Sequence, residues 1–422
     1  MMRKFSLVLS LVSLLMMIAA PAYASGPRDH GDRGKKMRIA LALGQGAKSA
    51  FEEGYVFQRG ARTATDLKEL QKLYNDAGAT EMFVRINTKR YNDGDLSVDP
   101  AHAELHSLES GLAMCRIAAD VHMPINPEIM VAYTYMDSFS QQAPDFKDYP
   151  ELDKPDKPWS EYSLAEMKSV LKQYGQLVAK ELKMAGCKVD YWNLGNEANF
   201  GFAGVSVGLK TAVNPILETK TLWEMFVLPS FGAEWLKDNV WNYNGQLMAA
   251  LAEGIRKVDR NAKFSTHVTT TVADTTSITT YFRTLAQNGF KVDQAGISFY
   301  PTSMSHVPDP LGTVKGMINA VRQQLRVSVF IAEYAYPSHP IDSGPYQDWD
   351  TPPAGYVISE ADQARFTSDL LAWGRQNGVS GIRPWAPDLI TGEWSAMSLF
   401  NADETTKIAT AKPILNVFRA FE

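Results

Sequence analysis

Eight apolar runs with strand character recur along the chain, with helical patterns between them, and that alternation restricts the fold more than any other feature. The runs are Met37–Gly44, Glu81–Asn87, Glu128–Thr134, Val189–Asn196, Ala262–Thr269, Asp293–Pro301, Val327–Tyr336 and Gly381–Pro387. Several are apolar almost throughout, as parallel strands covered outside by helices must be. Leu67, Leu70, Leu73 and Tyr74 share one helical face, with Thr65 as N-cap and Gly78 as stop. Ser163 and Glu166 form a capping box before Met167, Val170, Leu171, Tyr174, Val178 and Leu182, and Gly186 ends that pattern. Runs spaced roughly 49 residues apart predict an α/β fold, a (β/α)8 TIM barrel in one domain over 37–422. A doubly wound open sheet shares this element order and is the rival.

The N-terminus stands apart. Arg3 and Lys4 precede the apolar stretch Phe5–Ala20, and Ala22-Tyr23-Ala24 offers a small-x-small cleavage site before Ser25. This order predicts a signal peptide over 1–24 and a secreted or periplasmic protein. A polar, disordered linker is expected over 25–36. Loss of the peptide takes the net charge from −5 to −7, which disfavours nucleic acid and anionic membranes as partners. The only cysteines, Cys115 and Cys187, lack zinc-site spacing and leave a disulfide open.

Helix-to-strand connections are short (Asn75–Thr80, Ala185–Lys188, Asn288–Lys291, Gln376–Ser380). Those leaving the strands are long and aromatic: Asp137–Ser160, Ala198–Ser230, Ser338–Tyr356 and Asp388–Leu399. Barrel enzymes build their active sites on that face. Its loops carry Trp159, Trp223, Trp349 and Trp394, suited either to sugar rings or to packing the loops themselves.

Two carboxylates end strands on this face. Trp192-Asn193-Leu194-Gly195-Asn196-Glu197 closes the fourth run, and Val329-Phe330-Ile331-Ala332-Glu333 lies in the seventh. A charge finishing a buried strand is costly unless paired or functional. Strands four and seven lie roughly opposite in such a barrel, so the pair can converge across one cleft. Glycoside hydrolysis needs that arrangement: an acid for the leaving oxygen and a nucleophile or base below the ring.

Here the sequence resembles a family. Asn196-Glu197 and Glu333 are similar to the catalytic pair of clan A retaining glycoside hydrolases. More narrowly, the chain resembles glycoside hydrolase family 53, the endo-β-1,4-galactanases acting on galactan and arabinogalactan. The likeness rests on Gly195-Asn196-Glu197, Gly296-Ile297-Ser298-Phe299-Tyr300-Pro301, Glu333-Tyr334-Ala335-Tyr336-Pro337 and Val84-Arg85, and more loosely on Tyr133-Thr134-Tyr135-Met136-Asp137. It runs over about residues 37–420. The chain departs from the family at Thr134, where a His is usual, at Thr302-Ser303-Met304 in place of Trp-His-Gly, and at Ala386 in place of an acidic residue.

The resemblance implies Glu197 as general acid/base and Glu333 as nucleophile in a double displacement, with the carboxyls about 5–5.5 Å apart. Arg85 and the Tyr300 hydroxyl would keep Glu333 ionised, and the charge on Glu333 would keep Glu197 protonated until the sugar is bound covalently. Asn196 would hold the sugar 2-hydroxyl, and Trp385 would floor the reacting subsite or pack the barrel. His267 is a further donor in the cleft or a satisfied core histidine, and Tyr135 and Asp137 complete the expected sugar contacts. No cofactor is demanded. Some members of the family carry structural calcium, but the sequence shows no compact oxygen-ligand loop. The expected partner is a polysaccharide or oligosaccharide, the expected state a monomer, and Pro413–Glu422 is read as the end of the last helix.

Gly44-Gln45-Gly46 lacks the third glycine and the ribose-binding acid of a dinucleotide site. Neither a phosphate-binding Gly-Lys-Ser/Thr loop nor His-Glu-x-x-His is present. Gly204-Val205-Ser206-Val207-Gly208 matches Gly-x-Ser-x-Gly, yet it falls inside a long loop where a nucleophile elbow needs a strand entering and a helix leaving. The remaining alternatives are another clan A enzyme acting on mannan, xylan or bacterial exopolysaccharide, and a non-catalytic glycan-binding protein on the same scaffold.

Overall fold

Eight parallel strands close on themselves in the computed structural model, which describes residues 36–42, 47–92, 106–137, 141–214, 229–270 and 274–422. They are β1 (Arg38–Ala42), β2 (Glu81–Ile86), β3 (Ile125–Ile129), β4 (Trp192–Leu194), β5 (Phe264–Thr269), β6 (Gln294–Phe299), β7 (Ser328–Tyr334) and β8 (Val379–Pro384). Strand β1 pairs with both β2 and β8, so the sheet has no free edge, and the open-sheet rival is excluded. The expected signal peptide, the expected linker up to residue 35, the Gly44-Gln45-Gly46 turn and Trp223 lie outside the described residues.

The third strand corrects the sequence reading. Glu128–Thr134 was expected, and the strand is Ile125–Ile129. Asn126, Pro127 and Glu128 look like turn chemistry in isolation. In the barrel, Asn126 and Glu128 face inward, two residues apart, and find partners there. Val131 then takes a φ of 37°, and Tyr133–Asp137 runs on as loop across the barrel mouth.

Those partners form a polar column through the barrel. Arg38 pairs with Glu81, and its Nη1 donates to Gln294 Oε1 at 2.9 Å. Asn126 Nδ2 donates to Glu81 Oε2 at 3.0 Å, while its Oδ1 accepts from Arg383 Nη1 at 3.0 Å. Arg383 pairs with Glu128, and Glu128 with Arg85 at the top. Ala40, Phe83, Phe330 and Ala332 fill the space between, with the Arg383 guanidinium 3.8 Å from the Phe83 ring centroid. Each buried charge therefore has a counter-charge, the condition under which such groups are tolerated in an interior.

The outer helices follow their sequence signals closely. The Ser163–Glu166 capping box opens helix Leu164–Met184 as read. Helix Leu67–Asp76 is capped by Asp66 rather than Thr65, which instead donates to Glu69 Oε2. Helices Leu164–Met184 and Asn242–Arg256 touch backbone to backbone. A Cβ at Gly175 or Gly254 would run into the facing helix. The expected terminal helix is a second correction. Phe400–Asp403 and Ile408–Ala411 form a hairpin that joins the hairpin Val56–Arg59/Arg62–Ala64, and Pro413–Asn416 and Phe418–Ala420 are single 3-10 turns. The Asp403 carboxylate accepts from the Thr405 and Thr406 amides, so the chain reverses where a helix would have continued.

Cys115, on helix Leu108–Asp120, and Cys187, just after Leu164–Met184, form a disulfide with their Cα atoms 5.6 Å apart. It bridges 72 residues of chain. Reduction is expected to lower stability by about 2–4 kcal/mol, read as a fall in the thermal midpoint on adding reductant. An unchanged midpoint in the Cys115→Ser/Cys187→Ser double variant would contradict this. No helix among the described residues is long and apolar enough to cross a membrane.

Candidate active site

The end of β4 turns abruptly. Gly195 takes a φ of 80° and Glu197 one of 44°, a left-handed conformation that costs a non-glycine residue energy and must be held by its surroundings. His267 on β5 holds it. The Glu197 backbone N–H donates to His267 Nε2 at 3.2 Å, and the Ala198 N–H donates to the His267 carbonyl at 2.9 Å. The ring also lies 3.0 Å from Asn196 Oδ1 and 3.2 Å from Asn193 Nδ2. Burial, which outweighs the pull of Glu128, lowers the His267 pKa to about 3, so the imidazole is neutral. The expectation of His267 as a donor to sugar is corrected: it is fully buried beneath the site and does not line the cavity.

Glu333, near the end of β7, is fixed on both oxygens. Oε1 accepts from Arg85 Nη2 at 2.7 Å, and Oε2 accepts from the Tyr300 hydroxyl at 2.8 Å. The same Arg85 nitrogen donates to Asn196 Oδ1 at 3.0 Å, while its Nε donates to Glu128 Oε1 at 2.6 Å. One guanidinium on β2 thus registers the ends of β4 and β7 against each other. Asn196 is further fixed by donating Nδ2 to the Met136 carbonyl at 2.7 Å.

The cluster is charge-balanced: Arg85 and Arg383 against Glu128 and Glu333, beside a neutral His267. Burial alone would push the Glu128 carboxyl up, but Arg383 and Arg85 bring it down to about 2. Burial raises the Glu333 carboxyl above the ordinary range, with Arg85 pulling the other way and Glu128 adding to the rise. Burial also keeps the Tyr300 and Tyr135 hydroxyls protonated.

Above this cluster opens a cavity of about 340 Å3. Glu197, Glu333, Asn196, Tyr300, Trp385, Tyr135 and Asp137 all line it, and Arg85 lies buried behind Glu333. Its far wall is aromatic. Trp385 packs on Trp394 at 4.5 Å between centroids, Trp394 on Tyr346 at 5.0 Å, and Trp349 on Tyr300 at 5.0 Å. The loops after β7 and β8 therefore do present Trp349 and Trp394 to the cleft. Trp159 only packs its loop, with Nε1 donating to the Ala203 carbonyl at 2.7 Å. Thr269, Pro345 and Tyr346 were not anticipated in the lining, nor Glu128 and Arg383 in the support below it.

Ser206 lies fully buried in a small hairpin, Gly201–Phe202/Val205–Ser206, with no helix leaving it, so the nucleophile-elbow reading fails. Among the described residues no group of three His, Cys, Asp or Glu side chains is placed to hold a metal ion.

A closed parallel barrel whose fourth and seventh strands deliver carboxylates into one aromatic-walled cavity defines a (β/α)8 glycoside hydrolase. The sequence profile described as Glycosyl hydrolase family 53 matches residues 48–418, and the chain belongs to that family. It is accordingly a glycosidase of the β-glycanase kind. Among solved structures, the family 53 catalytic domain of Ignisphaera aggregans superposes with a TM-score of 0.67 at 17% identity, covering 93% of this chain and 98% of that one. A structure of fungal β-1,4-galactanases gives 0.64 at 15% identity, over 91% and 99% of the two chains. The intracellular xylanase of Thermoanaerobacterium saccharolyticum gives 0.51 at 12%, over 94% and 99%. At such identities these likenesses bear on the fold alone. No curated protein matches the sequence.

Proposed function

We propose that this chain is an exported, retaining endo-β-1,4-galactanase acting on galactan and arabinogalactan, with Glu333 as nucleophile and Glu197 as general acid/base. The observation that carries the roles is the asymmetry of the two cavity carboxyls. Both oxygens of Glu333 are engaged by Arg85 and Tyr300, which orients it and favours its anion, whereas Glu197 sits on a turn across the same cavity. In the first step the Glu333 carboxylate attacks the anomeric carbon while Glu197 protonates the departing glycosidic oxygen. In the second, Glu197 takes a proton from water, which displaces Glu333 from the sugar. Asn196 contacts the 2-hydroxyl of the reacting unit, Tyr135 and Asp137 contact its remaining polar edge, and Trp385 supports its apolar face.

Galactan as substrate is supported by family membership. Export is supported by the N-terminal pattern and by the Cys115–Cys187 disulfide, since such bonds persist in oxidising compartments. The test is a panel of galactan, arabinogalactan, mannan, xylan and bacterial exopolysaccharide, with product configuration followed by proton NMR. Galactan and arabinogalactan should release reducing ends that appear first as the β-anomer. The α-anomer would rule out the double displacement. Cleavage of mannan or xylan alone would overturn the substrate assignment, and binding without cleavage would leave a glycan-binding protein.

A further inference from the structure

We infer that Glu128, clamped by Arg383, is a positioning residue for the nucleophile: it fixes the guanidinium that spans Asn196 and Glu333, and its negative charge balances the two arginines beneath the site. The inference rests on Glu333 as nucleophile and adds a layer that this reading does not contain.

Glu128 is fully buried on β3 and does not line the cavity, so it acts only through its neighbours. Its Oε1 accepts from Arg85 Nε at 2.6 Å, and its Oε2 takes Asn193 Nδ2 at 3.1 Å together with the Arg383 guanidinium. With Nε held there, the Arg85 Nη2 is aimed upward, where it meets both Asn196 and Glu333. Arg383 cannot drift, because Nη1 donates to Asn126 Oδ1 and Nε to the Ala332 carbonyl. Each side chain of the support is thus fixed at more than one point, which is how a reacting group is kept in geometry.

The electrostatic half follows from the charges facing Glu333. Arg85 approaches from β2, Glu128 from β3, Glu197 from the end of β4 and Arg383 from β8. His267 on β5 is neutral, and the Tyr300, Tyr135 and Tyr346 hydroxyls remain protonated. Asp137 completes the acidic groups at the cavity. Glu128→Gln removes one anion and leaves two guanidiniums beside Glu333, so Glu333 ionises at lower pH. Arg383→Met removes one cation, so Glu333 ionises at higher pH. A merely structural role would damage turnover in both variants but would not move the two ionisations in opposite directions.

The experiment is the pH profile of kcat/KM on soluble galactan, whose acid limb reports the nucleophile in the free enzyme. The acid limb of Glu128→Gln should move down by about one pH unit and that of Arg383→Met up by about one. Arg383→Lys, which keeps the charge, should leave the limb in place. Limbs that stay put, or that move the same way, overturn the inference whatever happens to kcat. Should Glu128→Gln fail to fold, Arg383→Met against Arg383→Lys decides by the same criterion. Glu333→Gln is assayed alongside. If it retains activity, the nucleophile assignment falls and takes this inference with it. If it is inactive while the limbs do not move, only the role of Glu128 falls.

Discussion

Replacing Glu333 by alanine is expected to lower kcat on galactan by on the order of 10^4-fold or more while leaving galactan binding intact, because the proposed nucleophile is gone and the aromatic wall is not. Glu197→Ala should be milder on an aryl galactoside whose leaving group departs without protonation, since glycosylation of Glu333 still proceeds. Azide separates the two roles. In Glu333→Ala it enters the space vacated by the carboxylate and displaces the leaving group once, giving the α-galactosyl azide. In Glu197→Ala it attacks the sugar already bonded to Glu333 and gives the β-galactosyl azide. The reverse pairing of products would exchange the two assignments. Azide acceleration in neither variant, with both inactive, would leave the double displacement without support.

Much of this site was legible because its chemistry sits at strand ends. Glu333 follows four apolar residues and Glu197 closes the fourth strand run beside the Asn196 amide, and a carboxylate at such a point needs a reason. The barrel itself was legible from element order, since six of the eight expected runs contain the observed strands and the third and eighth overlap theirs with a shift. What stayed hidden lay inside strands. Glu128 is preceded by Asn126 and Pro127, a triplet that taken alone argues for a turn, and only partners from β2 and β8 make it strand interior. Arg383 stood within an expected buried run, so the argument applied to Glu333 already demanded a partner for it. That partner is more than 250 positions earlier in the chain, and local patterning cannot reach it. His267 was ambiguous for a related reason. The sequence gives a polar residue on a buried strand, and whether it faces sugar or backbone depends on the left-handed turn at Glu197, which an ordinary Asn-Glu pair does not announce.

The largest expected loss of stability comes from Arg85→Met. Arg85 is bonded to Glu128, Asn196 and Glu333 alike, and methionine fills a similar length without charge. The substitution leaves one guanidinium, that of Arg383, against two buried carboxylates, and removing one partner of such a pair costs about 3–5 kcal/mol. The deficit should depend on pH, because two of the groups that Arg85 touches titrate. In the intact protein Glu128 is held down to about 2, below its ordinary value of 4.5, so the stability from its pairing is fully present above about 4.5 and is lost as pH falls towards 2. In Arg85→Met, Glu333 loses the charge that opposed its burial and ionises still less readily. At neutral pH the variant must bury an unpaired anion or keep a proton that the unfolded chain would release, and both destabilise it. In mild acid Glu128 of the intact protein stays ionised, but the variant's carboxyls can keep protons that the unfolded chain keeps as well, and the gap narrows. Urea unfolding should therefore show a difference from the parent that grows as pH rises from the mildly acidic range to neutrality. A deficit independent of pH would mean that packing, not charge, is what Arg85 supplies. Arg85→Lys should recover part of the stability but little of the turnover, because one ammonium cannot reproduce the fork that holds Glu128 through one nitrogen and Asn196 and Glu333 through another.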